Sequence, residues 1–167
     1  MKESGKMHLT SIDLLQFQTL GHVIVAIILG GLVGLDRELA NRPAGIRTHS
    51  LVAGAAALFV SIGQYLVQDF NTNLNSSLLR SDPIRLIEAV ITGISFLGAG
   101  TIIRQKTADR VYGLTTAASI LVVAGIGVCV ALGQYILAIG VTGLVWVILK
   151  GLHNVEAYIG TTSTRKG

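Results

Sequence analysis

Five apolar runs, each close to the length a helix needs to cross a bilayer, constrain this chain more than any other feature. A hydrocarbon core of about 30 Å takes about 20 helical residues. The runs are Phe17 to Leu35, Thr48 to Val67, Leu86 to Ile103, Leu114 to Leu132 and Tyr135 to Lys150. The first is broken only by Gln18, Thr19 and His22, and it stops abruptly at Asp36-Arg37-Glu38. Hydrophobic residues make up 51% of the chain and charged residues 13%, against about 25% charged in an ordinary soluble domain. That leaves too few polar side chains to cover a water-exposed surface, and excludes a soluble globule. The expectation is an all-α polytopic membrane helix bundle of about five transmembrane helices, made of an N-terminal lead-in over 1–16, a transmembrane domain over 17–152 and a short tail over 153–167.

The break between the last two runs rests on Gly133-Gln134 alone. A single helix from Leu114 to Leu149 would be about 54 Å long at 1.5 Å per residue, too long for one span without a large tilt, so a tight hairpin is expected there. Lys150 is expected to snorkel to the headgroups, with Trp146 and Tyr135 as interfacial anchors. Met1 to Gln16 lacks the continuous apolar stretch of a signal peptide. Gln68 to Pro83 reads as the longest polar loop, and Thr161 to Gly167 as a disordered end.

Lys and Arg near the membrane set the orientation. Nine collect on one side (Arg37, Arg42, Arg47, Arg104, Lys106, Arg110, Lys150, Arg165, Lys166) and four on the other (Lys2, Lys6, Arg80, Arg85). The N terminus is therefore expected outside and the C terminus in the cytoplasm.

Several kinds of chemistry are disfavoured. One cysteine, Cys129, allows no intramolecular disulfide framework and no multi-cysteine zinc site, and reads as a small buried hydrophobe. The histidines His8, His22, His49 and His153 form no metal-binding pair, and His22 reads as a hydrogen-bonded interfacial group. The net charge of +4 comes with 5% aromatics, and the basic residues sit between apolar runs, a pattern of topology rather than of nucleic-acid binding. No enzyme signature and no cofactor motif is found.

The candidate residues fall into four groups. The loop after the first run carries Asp36, Arg37, Glu38, Arg42 and Arg47 around a Pro-Ala-Gly turn, either as internal ion pairs that fix the loop or as a ligand-binding face. The loop before the fourth run carries Asp109 and Arg110, then Thr115, Thr116 and Ser119. Thr48, and Thr115 or Thr116, are placed to cap helices whose N termini would join a positive rim, which favours anionic headgroups, phosphate or an acidic partner over a bare divalent cation. Glu88 is the one acid inside an apolar run, open to a functional reading or to an i, i+3 salt bridge with Arg85. Ala26, Gly30 and Gly34 make a small-xxx-small stripe, a seam for another helix of this chain or for a second copy. Gly98 and Gly100, in the run Gly93 to Gly100, suggest a close crossing or a kink.

Arg42-Pro43-Ala44-Gly45-Ile46-Arg47-Thr48-His49, Phe96-Leu97-Gly98-Ala99-Gly100 and Gly113-Leu114-Thr115-Thr116-Ala117-Ala118-Ser119 closely resemble the MgtC/SapB family of bacterial membrane proteins, over about Leu20 to Leu149. The resemblance implies a multi-pass inner-membrane protein of about five spans, linked to magnesium limitation, survival in hostile environments and, in some members, control of the proton-driven ATP synthase. By matched position the family's charged motif falls on Asp36, Arg37, Glu38 and Arg47, with Asp36 where members often have Glu, and its polar-small motif on Thr115, Thr116 and Ser119. Many members add a soluble domain after the last span, so the transmembrane domain alone is expected here. The function expected is support of magnesium or membrane-energy homeostasis, by binding and modulating a membrane protein partner within the lipid bilayer. The alternative is a direct transporter or channel for Mg2+ or another small ion. A homodimer through the glycine stripe is also expected, and no nucleic acid.

Overall fold

The computed structural model describes residues 2–73, 83–105 and 110–163. Five helices follow one another: α1 (Lys2–Leu39), α2 (Ile46–Asn73), α3 (Pro83–Ala99), α4 (Leu114–Ala131) and α5 (Tyr135–Ser163). Between α3 and α4 lie two short strands, β1 (Ile103–Gln105) and β2 (Arg110–Tyr112). They pair antiparallel, with Arg104 opposite Val111. The all-α bundle expected from the apolar runs is the architecture found. Among the described residues three segments are long and apolar enough to cross a membrane: Asp13–Leu39, Ile46–Gln68 and Leu114–Ala131. Tyr135–Gly151 and α3 are apolar but shorter.

Helix ends follow from local chemistry. Asn41 takes a left-handed conformation (φ 53°) and ends α1 in a Schellman motif, with Arg42 N donating to the Arg37 carbonyl and Asn41 N to that of Glu38, both at 3.0 Å. The same device closes α4. Gly133 has φ 71°, and Gln134 N donates to the Cys129 carbonyl at 2.8 Å. This is the hairpin that Gly133-Gln134 predicts. Pro83 begins α3, where its missing N–H costs nothing.

Four boundaries differ from expectation. The lead-in is continuous with the first apolar run, so α1 has 38 residues. α2 extends to Asn73, and residues 74–82 of the expected polar loop lie outside the described residues. The third run leaves the helix at Ala99 rather than Ile103, because a turn closes there: Thr101 N donates to the Gly98 carbonyl at 2.9 Å and Thr101 Oγ1 to the same oxygen at 2.7 Å. α5 continues to Ser163, past the expected start of the disordered end, and 164–167 lie outside the described residues.

α1, α2 and α4 form the core, with α4 touching all four other helices. Small residues bring backbones together here. A Cβ on Gly30 of α1 would lie 2.6 Å from the His49 carbonyl oxygen and 2.7 Å from Ala53 Cβ. A Cβ on Gly127 of α4 would strike the Ala53 carbonyl oxygen. Ala53 of α2 is therefore clasped from both sides, and Ala26, Ala53, Ala56, Ala57 and Ala124 are fully buried around it. The Ala26/Gly30/Gly34 stripe is thus an internal seam against α2, which removes it as the seam of a homodimer.

Candidate functional site

The ends of α1, α2 and α4 meet at one end of the bundle, and their polar side chains turn inward. Arg37 leaves the last turn of α1, is 5% exposed, and donates from Nη2 to Thr116 Oγ1 in the first turn of α4 at 3.2 Å. The α1 C-terminal carbonyls favour a cation there. Its Nε is buried with no hydrogen-bond partner among the described residues. One turn into α4, Ser119 Oγ donates back to the Thr116 carbonyl at 2.8 Å and lies 2.9 Å from His49 Nε2. His49, fully buried on α2, completes the chain through Nδ1, 2.9 Å from the Gly45 carbonyl oxygen.

Proton inventory constrains this chain. A carbonyl only accepts, so Nδ1 carries the His49 proton, and in the neutral ring Nε2 accepts from Ser119. Ser119 has one proton, and both Nε2 and the Thr116 carbonyl compete for it. The imidazole has room because α1 opposes it with glycine. A Cβ on Gly34 would sit 2.9 Å from His49 Cβ and 2.7 Å from Ile46 Cα.

The two helix N termini at this end are treated differently. Glu38 Oε2 accepts from Ile46 N at 2.8 Å, so a carboxylate from α1 caps α2, and the expected Thr48 cap is not used. α4 begins at Gly113 (φ 90°), which has no side-chain cap. The expected cap by Thr115 or Thr116 is absent because Gly113 itself holds that position. Only glycine fits, since a Cβ would strike the Thr101 carbonyl oxygen.

The remaining candidates scatter. Asp36 is half-buried, Arg42 and Arg47 are exposed, and none of the three joins the buried chain. Thr115 is exposed while Thr116 and Ser119 are buried. Asp109 lies outside the described residues, and of Arg110 only the backbone, in β2, is described. Glu88 and Arg85 are both exposed on α3, and no ion pair joins them among the described residues. A Cβ on Gly98 would lie 3.5 Å from the Ala117 carbonyl oxygen of α4, an ordinary contact, and Gly100 sits in the turn after α3. Cys129 is half-buried with a free thiol.

His49 was not among the residues singled out from sequence. Its signal was a polar residue at the start of an apolar run, one turn after Gly45. Toward the other end, His22 Nδ1 lies 3.3 Å from Ser61 Oγ, and its ring centroid is 6.1 Å from that of Tyr135. Both His22 and Ser61 line a cavity of about 620 Å³ between α1 and α2. Lys150 Nζ lies 4.2 Å over the Trp146 ring.

The sequence profile of the MgtC family matches residues 23–158. An uncharacterized protein of Haemophilus influenzae is 33% identical over 144 residues, covering 86% of this chain and 59% of that protein. "Putative magnesium transporter YhiD" of Escherichia coli K12 is 35% identical over 133 residues, 80% of this chain and 60% of that protein. "Protein MgtC" of Salmonella typhimurium is 37% identical over 129 residues, 77% and 50% of the two chains. The chain therefore spans between half and three fifths of these relatives. No solved structure matches it.

Proposed function

This chain belongs to the MgtC family, and on that premise we propose that it supports magnesium or membrane-energy homeostasis by binding and modulating a membrane protein partner, without catalysing a reaction. It lies in the bacterial inner membrane as a five-span bundle, with the N terminus outside and the Arg37 end of the bundle in the cytoplasm.

The observation that carries the reading is the buried Arg37 guanidinium where α1 and α4 meet. A divalent cation passing about 4 Å from it would meet a repulsion of about 8 kcal/mol at an effective dielectric of 20. This end of the three-helix core is therefore hostile to Mg2+. Outward, α3 and α5 present Phe96, 85% exposed, and Ile136, 90% exposed, apolar surface for a partner's helices.

The test pairs two assays on the same protein. Reconstituted in liposomes with an entrapped magnesium indicator and a pH dye, the protein is expected to carry no flux. Photo-crosslinkers at Phe96 and Ile136 in cells are expected to capture a membrane protein. Magnesium flux that is lost in Asp36→Asn or Glu88→Gln would overturn the reading in favour of a transporter. That alternative is favoured by the name of the E. coli relative, a magnesium transporter, and by Glu88 on an apolar helix, and it requires a path outside the Arg37 crossing.

A further inference from the structure

We propose that the N-terminal turn of α4, together with Arg37, is a binding site for a phosphate group. Two independent observations converge on it. First, the helix is open at its start. Ala117 N makes the first helical bond, to the Gly113 carbonyl at 2.8 Å, so the amides of Leu114, Thr115 and Thr116 precede the ladder, and among the described residues no side chain caps the helix start. These N–H groups and the positive end of the helix dipole suit an oxyanion. Leu114 is 57% exposed and Thr115 is exposed, so this end is reachable from outside.

Second, a cation is built into the same turn, and the described residues bring no anion to it. Arg37 is held on Thr116 Oγ1, is nine-tenths buried, and its Nε has no acceptor among the described residues. Among the described residues no carboxylate pairs with it. Glu38 is committed to the α2 amide of Ile46, and Asp36, its chain neighbour, forms no ion pair with it. A buried guanidinium and an uncapped helix start repel one another and share one remedy, a group with several acceptor oxygens and negative charge. Phosphate supplies this, with oxygens that accept from the open amides and negative charge that offsets the guanidinium. α2 shows the complementary solution, because Glu38 is its own resident anion. A carboxylic ligand would leave some of these donors unmet, and a divalent cation would be repelled.

The phosphate group has two sources, a lipid headgroup or a soluble phosphate. The full chain, in nanodiscs of phosphatidylcholine, is titrated with inorganic phosphate at constant ionic strength, and backbone amide shifts are followed by NMR. A second set of nanodiscs carries phosphatidylglycerol in place of added phosphate. Either titration is expected to move the Leu114, Thr115 and Thr116 amides while leaving Gly140 and Gly143 of α5 in place. A response to inorganic phosphate assigns a soluble ligand, and a response to phosphatidylglycerol alone assigns a headgroup. Arg37→Gln is expected to weaken the response at least tenfold, with Arg37→Lys intermediate because it keeps the charge and loses the fork. No shift with either probe in the wild-type protein would overturn the proposal, whatever the variants do. So would shifts confined to other residues, or an Arg37→Gln affinity equal to wild type.

Discussion

Replacing Gly30 with alanine tests the packing on which the polar end of the bundle depends. The added Cβ would lie 2.6 Å from the His49 carbonyl oxygen, 2.7 Å from Ala53 Cβ and 3.2 Å from the His49 carbonyl carbon. Contacts of this kind settle at about 3.5–4.0 Å, so α1 and α2 must part by roughly 1 Å along the seam. The neighbours are backbone and Cβ atoms, which have no rotamer to escape into. Overpacking of this kind costs about 1–3 kcal/mol. Alanine's better helix propensity returns up to about 1 kcal/mol. The expected result is a net loss of up to about 3 kcal/mol.

Gly140 of α5 supplies the control, because a Cβ there would meet nothing within 4 Å. Gly140→Ala should therefore gain up to about 1 kcal/mol from propensity alone. Reversible unfolding in mixed micelles, followed by circular dichroism, measures both variants against the parent. Gly34→Ala, facing Ile46 Cα at 2.7 Å, acts on the same seam. The double variant should lose less than the sum, since the first substitution has already separated the helices. A Gly30→Ala protein as stable as Gly140→Ala would refute the close-seam argument.

Three further outcomes are expected. His49→Ala and Ser119→Ala should each lose about 1–3 kcal/mol by orphaning a buried partner, and a double-mutant cycle should show coupling of about 1 kcal/mol or more; additive losses would mean the 2.9 Å contact contributes nothing. Glu38→Ala should lower the unfolding midpoint by removing the carboxylate on Ile46 N, with Glu38→Gln retaining most of the stability because an amide oxygen still accepts; equal losses in the two would refute the cap. Glu88→Gln, at an exposed site with no ion pair to Arg85 among the described residues, should leave stability within about 0.5 kcal/mol of the parent, and a larger change in the unfolding midpoint would show a hidden partner.

How far the fold was legible follows from the range of each signal. The helices of the apolar runs were legible because hydropathy persists over about 20 residues, and the break at Gly133-Gln134 because a left-handed glycine ends a helix by local rules. The extensions of α1 and α5 were not, since a polar helical end carries no apolar period to mark it. The β1–β2 pair escaped because strands of three residues are too short for alternation to register. At the site, Arg37 is selected by its charge, Thr116 as a candidate cap and Ser119 by the family resemblance, and they do come together. His49 was passed over because its role is set by Gly30 and Gly34 on another helix. Glu38 reads as an ion-pair member or as part of a ligand-binding face, whereas its partner is a backbone amide, and amides are the same at every position of a sequence.

The clasp at Ala53 bears on both functional readings. Gly30 presses on it from α1 and Gly127 from α4, each at a distance that admits no methyl group, still less a hydrated ion. A conduction path along the α1–α2–α4 axis would have to pry these backbones apart, while the Arg37 charge guards the end of the same axis. Transport by this chain, if measured, must then run along a different surface, such as the α2–α3 groove of about 680 Å³ beside Leu86 and Gly93. Widening that groove with Leu86→Ala would raise such a flux, whereas Ala53→Leu would unfold the core without opening anything. The rigid three-helix core is better suited to a different task, that of fixing the ends of α1, α2 and α4 closely enough for one guanidinium and one uncapped helix start to act on the same ligand.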